Sequence, residues 1–202
     1  FAKRIEHVVQ QCERVCSVVS KNLQQDFFPI VLSGDHSSAL GVISGIKKVY
    51  PDKKLGVVWI DAHADLHSPF TSPSGNIHGM PLAAAMQMDN LPCKVNEVSN
   101  DTVDSWNQLK NIGTAQPKLS SEHLVYFGLR DFEAAEEHII NQFGILHYKV
   151  EQIRAAGLTH CVQEAIDRLQ DADIIFVSFD VDSLDCDQIS YGTGTPVKSG
   201  FK

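Results

Sequence analysis

Carboxylate and imidazole side chains follow three apolar runs of this sequence, at the point where each run ends. Residues 55–60 lead directly into Asp61, His63 and Asp65, which occupy every second position. Side chains two residues apart in an extended chain point to the same face, so Asp61 and His63 at least can converge on one point. The six candidate ligands found in this way are His36, Asp61, His63, Asp65, Asp180 and Asp182.

These six donors predict a metal centre with two ions. The set is built from nitrogen and oxygen without a thiolate, which suits a hard or borderline divalent ion such as Mn²⁺. Four crowded carboxylates would repel one another, whereas two divalent cations would balance them. For any one Asp, a turn or helix cap is an equally ordinary role, and a lone His36 in a turn is usually a surface residue. To replace the metal interpretation, such an ordinary role would have to apply independently at all six positions.

Apolar patterning predicts the elements that carry these side chains. Strands are expected at 27–32, 55–60, 124–128, 145–148 and 174–179, and helices at 1–25, 40–49, 81–88, 132–143 and 150–170, the last broken at Gly157. Residues 90–121 are predicted as mostly loop with one strand or helix. The polar loop 65–78 is long for a compact domain, which is typical of a binding loop.

The fold class predicted from this order is α/β. Strands and helices alternate, and the strands are continuous apolar runs, as in a mainly parallel sheet covered by helices in a three-layer α/β/α arrangement. A single domain over residues 1–202 is expected. Ligands of open parallel sheets bind beyond the carboxyl ends of the strands, where all six candidate ligands lie.

Composition excludes several classes of protein. The net charge of −8 and the scattered lysines and arginines argue against a nucleic-acid partner. Apolar runs are all shorter than the ~20 residues that a membrane span requires. The five cysteines form no CxxC pair, and their odd number favours a reducing compartment, so the cytoplasm is the predicted location.

Four short motifs carry a resemblance to a known family. The segments SGDHS, DAHAD, SGNIHG and SFDVDSLD, in this order and spacing, resemble the signatures of the ureohydrolases, the binuclear manganese hydrolases of guanidino compounds. Within that family, residues 74–79 are similar to arginases rather than to agmatinases or formiminoglutamases. The resemblance implies an arginase-like fold and hydrolysis of L-arginine to L-ornithine and urea. Another guanidino or formimino substrate, such as agmatine or formiminoglutamate, and a non-catalytic metal-binding role stay open as alternatives.

The resemblance also implies a role for each ligand. One Mn²⁺ would be held by His36, Asp61, Asp65 and Asp180. The other would be held by His63 with Asp61, Asp180 and Asp182, so that Asp61 and Asp180 bridge the two ions. A hydroxide between the ions is the implied nucleophile.

Catalytic and substrate-binding residues follow from the same resemblance. Asp65 would accept the proton of the hydroxide, and His78 would shuttle it. Ser74 and Asn76 match positions that bind the α-carboxylate of the substrate. Glu133 and Glu136 match acids that face its α-amino group, although acids at a helix start need no such role. Thr195 resembles a threonine near the guanidinium.

Four features depart from the arginase pattern. His67 replaces a usual Asn at the substrate carboxylate, and Glu133 is one methylene longer than the usual Asp. The loop 183–195 is one residue longer and carries Cys186 where Pro is usual. Family members also continue beyond Lys202 and begin with a strand before Phe1, so we expect a chain truncated at both ends. Assembly into a homo-oligomer is expected of such proteins.

Overall fold

The computed structural model describes residues 2–202, which contain seven α-helices and four β-strands. The helices are α1 (Ile5–Leu23), α2 (Ser38–Val49), α3 (Pro81–Ala85), α4 (Asn100–Asn111), α5 (Ala134–Phe143), α6 (Val150–Ala156) and α7 (Leu158–Arg168). The strands are β1 (Leu55–Ile60), β2 (Leu124–Phe127), β3 (Leu146–Tyr148) and β4 (Ile174–Phe179). Short 3-10 helices span Ile77–Gly79, Leu91–Cys93, Ser121–His123 and Val181–Ser183.

The chain divides into two compact units. The first unit runs up to Lys53 and resumes over Asp65–Lys118, and it contains α1 to α4. The second unit comprises Lys54–Ala64 and Leu119–Lys202, and it contains all four strands with α5 to α7. The prediction of a single domain stays a prediction.

The four strands form one parallel sheet in the order β3-β2-β1-β4. Ile60 at the end of β1 lies opposite Phe127 of β2 and Phe179 of β4, so these three strands end level with one another. Parallel strands joined through helices are the hallmark of the α/β class. The predicted fold class and four of the five predicted strands are confirmed.

The core of the second unit forms where the sheet packs against α6 and α7. Val125, Phe127 and Tyr148 from β2 and β3 are buried together with Ile153 of α6 and Cys161 of α7. Burying one such side chain stabilises a fold by roughly 1.5–3 kcal/mol. Val58 and Ile60 of β1 pack against the same cluster.

The first unit depends on a close approach of α1 and α2. Buried residues of α1 recur at three- and four-residue spacing, as expected of an amphipathic helix. A Cβ at Gly41 of α2 would lie 2.7 Å from Cβ of Val15 and 2.8 Å from the carbonyl oxygen of Cys12. A Cβ at Gly45, one turn later, would lie 2.8 Å from Cβ of Val19. The two glycines therefore allow the helices to pack backbone to backbone.

The strand predicted at 27–32 is wrong. Within the described part of the chain, this segment has no regular secondary structure, and Phe28, Ile30 and Leu32 are 90%, 81% and 95% exposed. An apolar run becomes a strand only where another strand supplies ladder hydrogen bonds, and Pro29 has no amide to donate.

The ambiguous region 90–121 contains a helix, α4. Its first turn is capped by Ser99, whose hydroxyl accepts a hydrogen bond from the amide of Thr102 at 3.4 Å. Trp106 and Leu109, three residues apart, are buried on one face of the helix. No helix among residues 2–202 has the length and apolar character needed to cross a bilayer.

The close packing of α1 and α2 predicts that Gly41→Ala destabilises the protein. Alanine gains ~1 kcal/mol in helix propensity over glycine, but overpacking typically costs about 1–3 kcal/mol. The steric cost exceeds the gain because the atoms it meets include the backbone of α1. We expect a lower midpoint of thermal unfolding, measured by circular dichroism. Lys48→Ala, at an exposed position of the same helix, is the control, and a Gly41→Ala variant as stable as that control would contradict the prediction.

Candidate metal centre

Two hydrogen bonds continue the parallel sheet beyond the end of β1. The amide of Asp61 donates to the carbonyl of Phe127 at 3.0 Å, and the amide of Asp180 donates to the carbonyl of Ile60 at 2.8 Å. Asp61 is 1% exposed, whereas Asp180 is partly buried. The carboxyl ends of β1, β2 and β4 are thus tied together, with an acidic residue directly after β1 and β4.

The Nδ1 atom of the His63 imidazole lies against two carboxylates, and Nε2 is 3.6 Å from a third, that of Asp131. Its Nδ1 is 3.1 Å from Oδ2 of Asp182 and 3.5 Å from Oδ1 of Asp61. One ligand atom from each of Asp61, His63 and Asp182 lies within 4.8 Å of the other two. Ligands of a divalent transition metal lie roughly 2 Å from the ion, so the three donors can close around one cation.

The electrostatics of this group favour positive charge. Burial lowers the pKa of His63, but hydrogen bonds with Asp182 and Asp61, together with their negative charges, outweigh burial and raise the pKa to about 11. A cation placed at Nδ1 instead of a proton would meet the same two carboxylates. The nitrogen and oxygen donors therefore fit the predicted Mn²⁺ in both charge and ligand type.

Asp182 is the more buried of the two acidic residues, Asp180 and Asp182, that follow β4. It is 3% exposed, and its carboxylate accepts hydrogen bonds from Oγ1 of Thr195 at 2.8 Å and from the amide of Ala62 at 3.4 Å. The carboxylate of Asp180 accepts the amide of Asp182 at 2.9 Å and so caps the 3-10 helix Val181–Ser183. The capping role is thereby confirmed for Asp180, and its role as a ligand stays a prediction.

In the first unit, the structure pairs His36 with Asp65. Nδ1 of His36 is 3.1 Å from Oδ2 of Asp65, and both side chains are largely buried. Asp65 has a positive φ of 54°, an uncommon backbone conformation for a residue other than glycine. Its carbonyl accepts the amides of Leu82 and Ala83 at the start of α3. The backbone of Asp65 caps this helix while its carboxylate faces His36.

The predicted binding loop is held by polar contacts within the first unit. The side-chain amide of Asn96 donates to the carbonyls of Pro69 at 3.0 Å and Ser72 at 2.7 Å. Nδ1 of buried His67 lies 3.1 Å from Oγ1 of Thr71. These contacts therefore order the loop that carries the predicted carboxylate-binding residues.

Ser74 and Asn76 lie at the accessible part of this loop. Oγ of Ser74 accepts the amide of Asn76 at 3.2 Å. Lys3 makes two hydrogen bonds to the same turn. Its amide donates to the carbonyl of Gly75 at 2.7 Å, and its ammonium donates to Oδ1 of Asn76 at 3.2 Å. Asn76 therefore keeps its N–H donors directed away from Lys3.

His78 lies on the 3-10 helix Ile77–Gly79 and is accessible to solvent. Its side chain is 37% exposed, and Nδ1 is 3.8 Å from Oδ2 of Asp35. An accessible imidazole can exchange protons with solvent, as the predicted proton shuttle requires. Its catalytic role stays a prediction.

Glu133 and Glu136 form the N-terminal cap of α5. The backbone amide of Glu133 donates to Oε2 of Glu136 at 3.1 Å, and the side chain of Glu133 accepts the amide of Glu136 in return. This reciprocal capping box explains why acids stand at the helix start. Their predicted contact with the substrate stays a prediction.

Sequence reasoning missed three residues that support these groups, namely Lys3, Asn96 and Arg130. Arg130 and Asp131 follow β2, and both of their amides donate to the carbonyl of Ala62 at 2.9 Å. The Leu-Arg-Asp sequence after an apolar run was the available signal, comparable with the Asp and His after β1. Lys3 and Asn96 have no such signal, because neither follows a strand.

The group around His63 predicts that one ligand substitution weakens metal binding. His63→Ala or Asp182→Asn should lower manganese affinity by more than ~10-fold. Loss of a residue that only hydrogen-bonds to a ligand already lowers metal affinity by about 10–100-fold, and loss of a ligand itself should cost more. Metal content after dialysis, measured by elemental analysis, checks this. His123→Ala is a matched control, because His123 pairs with Asp171 at 2.9 Å beside the start of β2 rather than its end. Unchanged manganese stoichiometry in both ligand variants would contradict the assignment.

Comparisons with known proteins agree on one family. The model of the Arginase family matches residues 2–202. The arginase of Bacillus caldovelox is 36% identical over 200 residues, a match that covers 98% of this chain and 60% of that protein. The arginase of Brevibacillus brevis is 38% identical over 200 residues, covering 98% and 61%.

A solved structure agrees with the sequence relatives. The crystal structure of arginase from Bacillus cereus superimposes with a TM-score of 0.85 at 35% identity, covering 98% of this chain and 63% of that chain. The chain thus spans about 60% of the length of the curated relatives that it matches.

Proposed function

Because this chain belongs to the arginase family, we propose that it is the metal-binding part of a manganese-dependent hydrolase that converts L-arginine and water into L-ornithine and urea. The observation that carries the proposal is the convergence of Asp61, His63 and Asp182 beyond the carboxyl ends of the sheet. The three relatives named above are arginases, and their names support L-arginine as the substrate.

The metal ligands of the proposal are the six residues predicted from the sequence. His36, Asp61, Asp65 and Asp180 are assigned to one Mn²⁺, and His63 with Asp61, Asp180 and Asp182 to the other. When bound, the two ions lower the pKa of a water molecule and supply the nucleophile at neutral pH. The contacts of His63 with two carboxylates and of His36 with a third support these assignments.

In the proposed reaction, the protein moves protons and orients groups. The water oxygen adds to the guanidinium carbon, the bond from that carbon to the chain nitrogen breaks, and the released amine takes up a proton. Asp65 accepts the proton of the attacking water, and His78 delivers a proton to the leaving amine. The exposure of His78 supports this task, because the ring must regain its proton from solvent.

Recognition of the amino acid end is assigned to the loop around Ser74 and Asn76. A hydroxyl and an amide provide neutral donors for the α-carboxylate, and the ammonium of Lys3 beside Asn76 adds favourable positive charge. Glu133 and Glu136 are assigned to the α-amino group, with Thr195 near the guanidinium and His67 near the carboxylate. The hydrogen bond from Thr195 to Asp182 supports a place for Thr195 beside the metal ligands. Cytoplasmic location and homo-oligomeric assembly stay predictions.

The first experiment is urea release from L-arginine, with agmatine in parallel, by manganese-loaded protein of full natural length. We expect urea from L-arginine and little from agmatine, because agmatine lacks the carboxylate that the Ser74 loop would bind. Efficient release from agmatine would instead favour the alternative of another guanidino substrate, to which the departures at His67 and Glu133 point. Two bound metals with no urea from either compound would contradict the proposal and favour a binding role.

A second experiment separates binding of the carboxylate from chemistry. Asn76→Ala should raise KM for L-arginine by ~10-fold, since a hydrogen bond to a charged group contributes about 1.5–3 kcal/mol. Its kcat should change little, and any residual turnover of agmatine should be unaffected. Asn107→Ala, at an exposed position of α4, is the control. A variant with unchanged KM for L-arginine would remove Asn76 from the carboxylate site.

A further inference from the structure

The guanidinium of Arg130 is bound by main-chain carbonyl oxygens. Nε donates to Lys198 at 2.9 Å and Nη1 to Gly128 at 3.0 Å. Nη2 donates to Asp182 at 2.8 Å and Val197 at 2.9 Å, with a longer contact to Leu184 at 3.5 Å. All five side-chain hydrogen bonds of Arg130 within residues 2–202 end on backbone oxygens, so the carboxylates nearby keep their oxygens for other partners.

Four of these carbonyls, those of Asp182, Leu184, Val197 and Lys198, belong to the 182–198 loop, which hydrogen bonds close into a compact turn. The amide of Phe201 donates to the carbonyl of Ser183 at 3.0 Å, and the amide of Asp185 donates to the carbonyl of Phe201 at 2.8 Å. Oδ2 of Asp185 accepts the amide of Ser199 at 3.1 Å. From Leu184 onward, the described residues of the loop form no helix, and their one strand-like pairing is the isolated bridge between Leu184 and Phe201. The side chain of Arg130 supplies donors from outside this loop to the carbonyls of Asp182, Val197 and Lys198.

The backbone of Arg130 is tied to the other ligand-bearing segment. Its amide donates to the carbonyl of Ala62 at 2.9 Å, directly between Asp61 and His63. Its side chain binds the carbonyl of Asp182, whose carboxylate lies against His63. One residue thus joins the segment that carries His63 to the segment that carries Asp182.

We propose that Arg130 is a positioning residue that sets the distance between His63 and Asp182 by holding the 182–198 loop through its carbonyls. The functional part of this inference rests on the proposed role of both residues as metal ligands. A planar guanidinium presents five donors in a fixed fork, which suits carbonyls arriving from several directions. A lysine ammonium keeps the positive charge but has three donors at one point.

The test compares three variants of the full-length protein. Arg130→Met keeps an unbranched apolar stem without the donors, and Arg130→Lys keeps the charge. Arg168→Met is the matched control, because Arg168 also donates to a backbone carbonyl, that of Glu122 at 2.8 Å, in the same unit and away from His63. The readouts are hydrogen exchange of the amides of residues 183–201 without metal, and the dissociation constant for manganese.

Arg130→Met should accelerate exchange in this loop by ~10-fold or more and weaken manganese binding by about 10–100-fold, as the loss of an outer-shell partner does. Arg130→Lys should behave nearly like Arg130→Met in both measurements, and Arg168→Met like the wild type. Should Arg130→Met not fold, Arg130→Lys carries the same test.

Two outcomes overturn the inference. Wild-type exchange in both Arg130 variants would show that the loop holds its position without the guanidinium. If Arg130→Lys behaved like the wild type and Arg130→Met did not, the positive charge rather than the fork of donors would hold the loop. A wild-type protein that binds no manganese would contradict the proposed function instead, while the exchange measurement would still decide whether Arg130 holds the loop.

Discussion

The level ending of β1 and its two parallel neighbours is the constraint on which the candidate metal centre depends. Ile60 lies opposite both Phe127 and Phe179, so Asp61 and Asp180 occupy equivalent places directly after adjacent strands. Hydrogen bonds from the amides of Asp61 and Asp180 continue the ladders past these strands. A slip of one residue would turn each side chain to the opposite face and separate the donors.

Crowded acids make this arrangement costly without a cation. Asp61 and Asp182 are almost fully buried, and a buried carboxylate is tolerated only where charge or hydrogen bonds compensate it. Against the effect of burial, hydrogen bonds with these two carboxylates, together with their negative charges, also raise the pKa of His63. Arg130 adds positive charge close by, yet its donors bind backbone carbonyls. Its charge therefore favours the nearby carboxylates while its hydrogen bonds are made to the main chain.

The binding loop shows a different way of ordering a site. Between Asp65 and the 3-10 helix at Ile77, the loop has no regular structure in the described chain, and several of its carbonyls accept hydrogen bonds from elsewhere. Asn96 supplies two such hydrogen bonds, and the amide of Lys3 supplies a third. Residues far apart in sequence thereby hold Ser74 and Asn76 in place.

The sequence by itself determined the four strands of the sheet, the α/β class and the donor types at the strand ends. These properties are local, because apolar periodicity and the residues that terminate a run can be seen within a few positions. Tertiary structure decided that the apolar run at Phe28 to Leu32 is not a strand, since a strand requires a partner edge that no local pattern reveals. It also decided that Arg130 joins the segments that carry His63 and Asp182 and that Asn96 orders the loop before Ser74. Such roles arise from hydrogen bonds between positions that only the folded chain brings together, and Arg130 and Asp182 lie 52 residues apart in sequence.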